Sequence, residues 1–126
     1  MNRGILIGIL AFVLIGFLVA EQIYVDNTIG ALKHKCEVLE AAIISQNESE
    51  SKTSIEDIEK FWKGHEMILT SIIDYNDIKE IGKQINLVKS AIEADDFETA
   101  LTECNLLIYH ANSGSLIFNF DFQNIL

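Results

Sequence analysis

Apolar positions along this chain form one continuous block followed by four periodic series. Residues 4–20, GILIGILAFVLIGFLVA, hold no charged side chain, and twelve of them are Ile, Leu, Val or Phe. Beyond the block, Val25, Ile29, Leu32, Cys36, Leu39 and Ile43 recur at alternating spacings of four and three, the seam of a packed helix. Nothing between Ala20 and Val25 breaks a helix, so block and seam are expected to form one rod ending near Ser45. Residues 46–52, QNESESK, read as a solvated loop. Thr53 and Glu56 have capping-box spacing and open a second helix. Its seam is Ile55, Ile58, Trp62, His65, Leu69 and Ile72, widened by Phe61, Ile68 and Ile73.

The phase breaks at residues 74–76, a tight turn with Asn76 as the next cap. A third seam follows at Ile78, Ile81, Ile85, Val88 and Ile92. Asp95 or Asp96 caps a fourth helix, with its seam at Phe97, Leu101, Cys104, Ile108 and Ala111. Residues 115–126, SLIFNFDFQNIL, admit two readings. Phe118, Phe120 and Phe122 alternate with polar residues as in a strand, whereas Ser115, Phe118, Phe122 and Ile125 continue the fourth seam. A helix through Gly114 costs only about 1 kcal/mol, and the helical reading is preferred. The chain has no proline, as suits few, long helices.

The fold expected is all-α: an N-terminal transmembrane helix (1–20) continuing into an up-down antiparallel four-helix bundle (21–126). Short connections make sequential helices antiparallel, which returns the C-terminal phenylalanines toward the anchor. There they face lipid headgroups or a membrane partner, or they close the bottom of the bundle.

The block is about 25 Å long as a helix, slightly short of a hydrocarbon core of about 30 Å. Its twelve large apolar side chains favour insertion by roughly 4–7 kcal/mol. The rival is a cleaved signal peptide, but the apolar run is long for one and Leu18 is large for the outer position of a cut after Ala20. Arg3 before the block, with Glu21 and Asp26 after it, places the N-terminus in the cytoplasm and the bundle outside. Gly4, Gly8 and Gly16, with Ala20, make a small-residue stripe, interrupted by Phe12, that could pack against another membrane helix.

Composition narrows the function. The net charge is −10, and all nineteen acidic residues lie beyond residue 20, which argues against nucleic acid and against anionic lipid headgroups as direct partners. Cys36 and Cys104 fall in nearly the same layer by residue count. They read as small apolar core residues, as a disulfide, or, with His65 counted into that layer, as part of a metal site that has too few ligands for closed zinc. His34 and His110 lie off the seams. There is no Glu-x-x-His pair, phosphate loop, G-x-S-x-G or HExxH. No cofactor is indicated and no catalytic function is expected. Trp62, His65, Asp74 and Asn76 are the residues singled out as a special polar and aromatic cluster.

EQIYVDNTI after the block, then IEKFWKGHEMIL, IIDYNDIKEI and the closing FQNIL together resemble the bacterial family called domain of unknown function 4363. The resemblance rests on Trp62 and His65, on the turn from Ile73 to Ile78, and on Asn124. It implies a short, single-anchor protein encoded near larger membrane proteins, and nothing catalytic. Tyr75 stands where a histidine is expected, and NSGS where a charged helix is usual. The expected function is therefore a non-enzymatic accessory protein, bound to the bilayer and to a larger membrane protein. Gly4, Gly8, Gly16, Trp62, His65, Phe118, Phe120 and Phe122 are the interaction residues expected. A ligand-sensing extracytoplasmic bundle and a bitopic coiled coil are the alternatives.

Overall fold

The computed structural model describes the backbone of residues 2–125 and the side chains of residues 2–113. It contains α1 (Arg3–Ile44), α2 (Glu48–Ile72), α3 (Tyr75–Glu93) and α4 (Phe97–Ile125), with no strand among the described residues. Each helix packs against two neighbours, α1 on α2, α2 on α3, α3 on α4 and α4 on α1. The protein is thus an all-α antiparallel bundle whose first helix is long and apolar at its start. α4 continues past Ser113 and Gly114 to Ile125, so the backbone there is helical, as preferred over a strand. The side chains of Phe118, Phe120 and Phe122 lie outside the described residues.

α1 has no break at residue 20. Asn2 caps it, its side-chain oxygen accepting from the Gly4 amide at 3.0 Å. Its most apolar window has mean hydropathy 2.6 and none of that window is buried. The helix is long and apolar enough to cross a membrane by length and composition. Burial begins only in the second half, where Val25, Ile29, Leu32, Cys36, Leu39 and Ile43 all enter the core. The third seam is also buried in full at Ile78, Ile81, Ile85, Val88 and Ile92. Full burial of each such side chain contributes about 1.5–3 kcal/mol.

The other two helices differ from the sequence reading. α2 starts at Glu48, not Thr53, because Asn47 is its cap and accepts from the Glu50 amide at 3.1 Å. Glu48 and Glu50 in the first turn complement the helix dipole. Ser51, expected in a loop, is fully buried, and its small side chain lets the extra turn close onto the core. In α4 the buried line is Ala100, Cys104, Leu107 and Ala111, with Phe97, Leu101 and Ile108 half-buried at its edge. Alanines at the centre bring α4 near its neighbours, so the larger residues are pushed to the flanks. Asp74, rather than Asn76, caps α3, accepting from the Asn76 amide at 2.8 Å. Asp96 caps α4 through the Thr99 amide and hydroxyl.

The two turns at the end remote from the apolar segment are built alike. In the first, Gln46 takes φ 55°, and the amides of Gln46 and Asn47 donate to the carbonyls of Ile43 and Ala42. In the second, Asp95 takes φ 58°, with the amides of Asp95 and Asp96 on Ile92 and Ala91. This is the Schellman closure, in which glycine normally takes the left-handed position. Neither turn uses it. Gln46→Gly is therefore expected to raise stability by about 0.5–1 kcal/mol, measured by urea unfolding of the full chain in detergent. An unchanged or lower midpoint would show that the turn is not strained.

Candidate functional site

The polar residues gathered between α1 and α2 lie just above the apolar segment. His65, half-buried on α2, reaches α1, where its Nδ1 is 2.8 Å from the Tyr24 hydroxyl. The hydroxyl donates to a neutral ring protonated at Nε2 and accepts from one protonated at Nδ1. Phe61, one turn earlier, meets the imidazole at 4.6 Å between ring centres with the rings tilted by 48°. Lys35 then lies 5.3 Å from the Phe61 ring centre and 2.7 Å from Asp57 Oδ2. A continuous ladder of α1–α2 contacts results, running from Tyr24 up to Lys35. Trp62 sits on the neighbouring side of α2 and points to α3. A Cβ on Gly82 would stand 3.3 Å from its Nε1, so glycine lets the indole approach α3 without displacement. Among the described residues that Nε1 has no hydrogen-bond partner.

Asp74 and Asn76, expected to join this cluster, do not belong to it. Asp74 caps α3 and Asn76 supplies the amide it accepts from, nine and eleven residues beyond His65. Nor is His65 in the cysteine layer. Because α2 starts five residues earlier than expected, His65 falls level with Tyr24, twelve residues below Cys36 on α1 and so roughly 18 Å away. Among the described residues no group of three His, Cys, Asp or Glu side chains is placed to hold a metal ion.

The cysteines do share a layer. Cys104 Sγ donates to the Cys36 carbonyl oxygen at 3.6 Å, and both are free, buried thiols. Burial, more than the neighbouring Cys104 and Glu37, pushes the Cys36 thiol up from 9.0 to about 12. Burial and Glu40 do the same to Cys104, again to about 12. These are apolar core groups, poorly suited to nucleophilic work.

Gly8 and Gly16 have open space around them, and no other part of the described chain covers the stripe. A residue that carried no sequence signal is Gln84, buried on α3. Its Nε2 donates to the Glu103 carbonyl at 2.8 Å and to Glu103 Oε2 at 2.6 Å, pinning α3 to α4. Lys89 and Glu59, at 3.1 Å, tie α3 to α2. That bond raises the lysine's pKa and lowers the carboxylate's. Tyr24 was also missed. It precedes Val25 on the seam and looks like an interfacial residue until His65 is seen beside it.

Chemically, this arrangement binds helices together. It offers no nucleophile with an adjacent base and no set of metal ligands among the described residues. Two outcomes follow. Tyr24→Phe removes one half-buried hydrogen bond and should cost about 0.5–1.5 kcal/mol by urea unfolding, whereas a neutral result would make the pair incidental. Raising the thiols from 9.0 to about 12 cuts their thiolate fraction roughly 1,000-fold near neutral pH. Maleimide should therefore label them in urea and scarcely at all in the folded chain at pH 8; equal rates would contradict the packing described. Since the folded values are raised, the thiols' contribution to stability is complete below about pH 9 and is lost as pH rises through about 12.

No curated protein and no solved structure matches the chain. The family model described as a domain of unknown function, DUF4363, matches residues 19–125, a span that takes in Tyr24, Trp62, His65 and the whole bundle but only the end of the apolar segment. This protein belongs to the DUF4363 family.

Proposed function

We propose that the protein is a non-enzymatic, single-pass membrane accessory protein, with its N-terminus in the cytoplasm and its bundle outside. In this reading residues 4–20 anchor it, and anchor and bundle together bind a larger membrane protein. The observation that carries the proposal is the helix α1 itself. Its apolar first half is wholly uncovered by the rest of the chain, and an aliphatic surface of that size is stable only against lipid or another apolar helix. Its second half is the core of the bundle, so whatever holds the first half also fixes the second. The Gly8 and Gly16 positions, open on all sides, give the anchor a face on which a second membrane helix can lie close.

A ligand-sensing bundle has less support. The two cavities described are open grooves on the outside, one by Lys63, Glu66, Met67 and Thr70 and one by Val38, Ala42, Glu50 and Thr53. The central layers are occupied by Leu32, Leu39, Ile58, Ile85 and Leu107.

The test is recovery of membrane partners from detergent with the intact protein as bait. Recovery of the same partner should fall when residues 4–20 are exchanged for plain polyleucine, and again when residues 114–126 are removed. Undiminished recovery from both variants would overturn the reading.

A further inference from the structure

The two ends of the bundle differ in chemistry, and the difference follows the direction of α1. The remote end carries Glu48, Glu50, Glu93, Asp95, Asp96 and Glu98 around its two turns, with Lys52 alone among them. The opposite end is the α2–α3 turn. The chain leading into it, residues 67–73, MILTSII, has no charge, and Asp74 and Asp77 follow, with Lys79 beyond them. Met67 is 85% exposed, Ile68 50% and Tyr75 60%, with Ile72 and Ile73 half-buried between them.

The depth of this turn can be counted. The Tyr24–His65 bond fixes the register of α2 on α1. Ile72 lies seven residues beyond His65, about 10 Å further toward the apolar segment, whereas Ala20 lies only four residues, about 6 Å, below Tyr24. The turn therefore reaches the level at which α1 becomes continuously apolar. Its hydroxyls bond within the turn, and its carboxylate, Asp74, is exposed. Thr70 Oγ1 donates to the Glu66 carbonyl at 2.7 Å and Ser71 Oγ to that of Ile68 at 2.6 Å. The Ile73 amide donates to Leu69, and the Asp74 carboxylate accepts from the Asn76 amide. Lys79 stands 6.0 Å from the Tyr75 ring centre, an aromatic and a cation together as at membrane surfaces.

We propose that the α2–α3 turn rests in the headgroup region of the bilayer that α1 enters, so that the bundle meets the membrane at a second point. Met67, Ile68 and Tyr75 enter the interface, and the acidic end points away from it. This rests on the anchoring role of residues 4–20. It adds that the bundle lies against the surface instead of standing clear of it.

The test uses the full chain in phosphatidylcholine vesicles whose lipids carry bromine high on the acyl chains, a quencher of tryptophan emission. Single variants Met67→Trp and Tyr75→Trp report on the turn, Val13→Trp on the anchor and Val38→Trp on the upper bundle, each read as emission above that of Trp62. Met67 and Val38 are exposed, so these replacements leave the core intact. Emission from the two turn variants should fall in brominated relative to plain lipid, as it does for Val13→Trp, while Val38→Trp is unchanged. Quenching at Val13→Trp with none at Met67→Trp and Tyr75→Trp would overturn the second contact alone. No quenching at any position would overturn the anchoring role and this proposal with it.

Discussion

The structure depends on the uninterrupted hydrogen-bonded ladder of α1 across residues 20–25. The chain passes there from a surface that water rejects to a seam that packs against α2 and α4. A kink or loop at that point would leave the two halves independent. As one helix, α1 is the ruler for the bundle. Tyr24 sets the depth of His65, Lys35 that of Asp57, and the Cys36 carbonyl that of Cys104. The individual bonds are modest, since exposed ion pairs contribute about 0–1 kcal/mol. Their effect is on register, while the buried aliphatic layers supply most of the stability.

A consequence is polarity along the bundle axis. Acidic residues cluster around the two turns remote from the apolar segment, whereas the seven residues that lead into the turn at the other end, 67–73, are uncharged and the turn itself carries one carboxylate, Asp74. Acidic side chains gain from full hydration and are repelled by anionic lipid, so this distribution suits a body with one end in water and the other near a membrane. Gln84 on Glu103 and Lys89 on Glu59 hold α3 in the ring, which keeps the α2–α3 turn in place relative to α1.

Much of this was legible in the sequence, for identifiable reasons. The seams of α1 and α3 consist, Cys36 apart, of large aliphatic residues at regular spacing, and every seam position is buried. In α4, Cys104 and Ala111 are buried as the spacing predicts, but Ala100 and Leu107 take the places expected of Leu101 and Ile108, since an alanine is too small to announce a buried face. The start of α2 was misplaced because its first turn is polar, and Ser51 is buried for its size. That error of five residues also misplaced His65, by putting it beside the cysteines. Trp62 and His65 were conspicuous as rare residues on an apolar face, but the partners that give them a role, Gly82 and Tyr24, became visible only when the helices were set side by side. Gln84 had no signal at all, since one amide among Ile81, Ile85 and Val88 looks like a surface residue until its carbonyl partner on α4 is seen.

The continuity of α1 can be measured directly as the distance between spin labels at Val13 and Val38, two exposed positions on either side of the junction, in the membrane-reconstituted protein. A single helix puts their backbones about 37 Å apart with one narrow distribution. A broad distribution, or a mean well below that length, would show a hinge between the apolar segment and the bundle and would contradict the account.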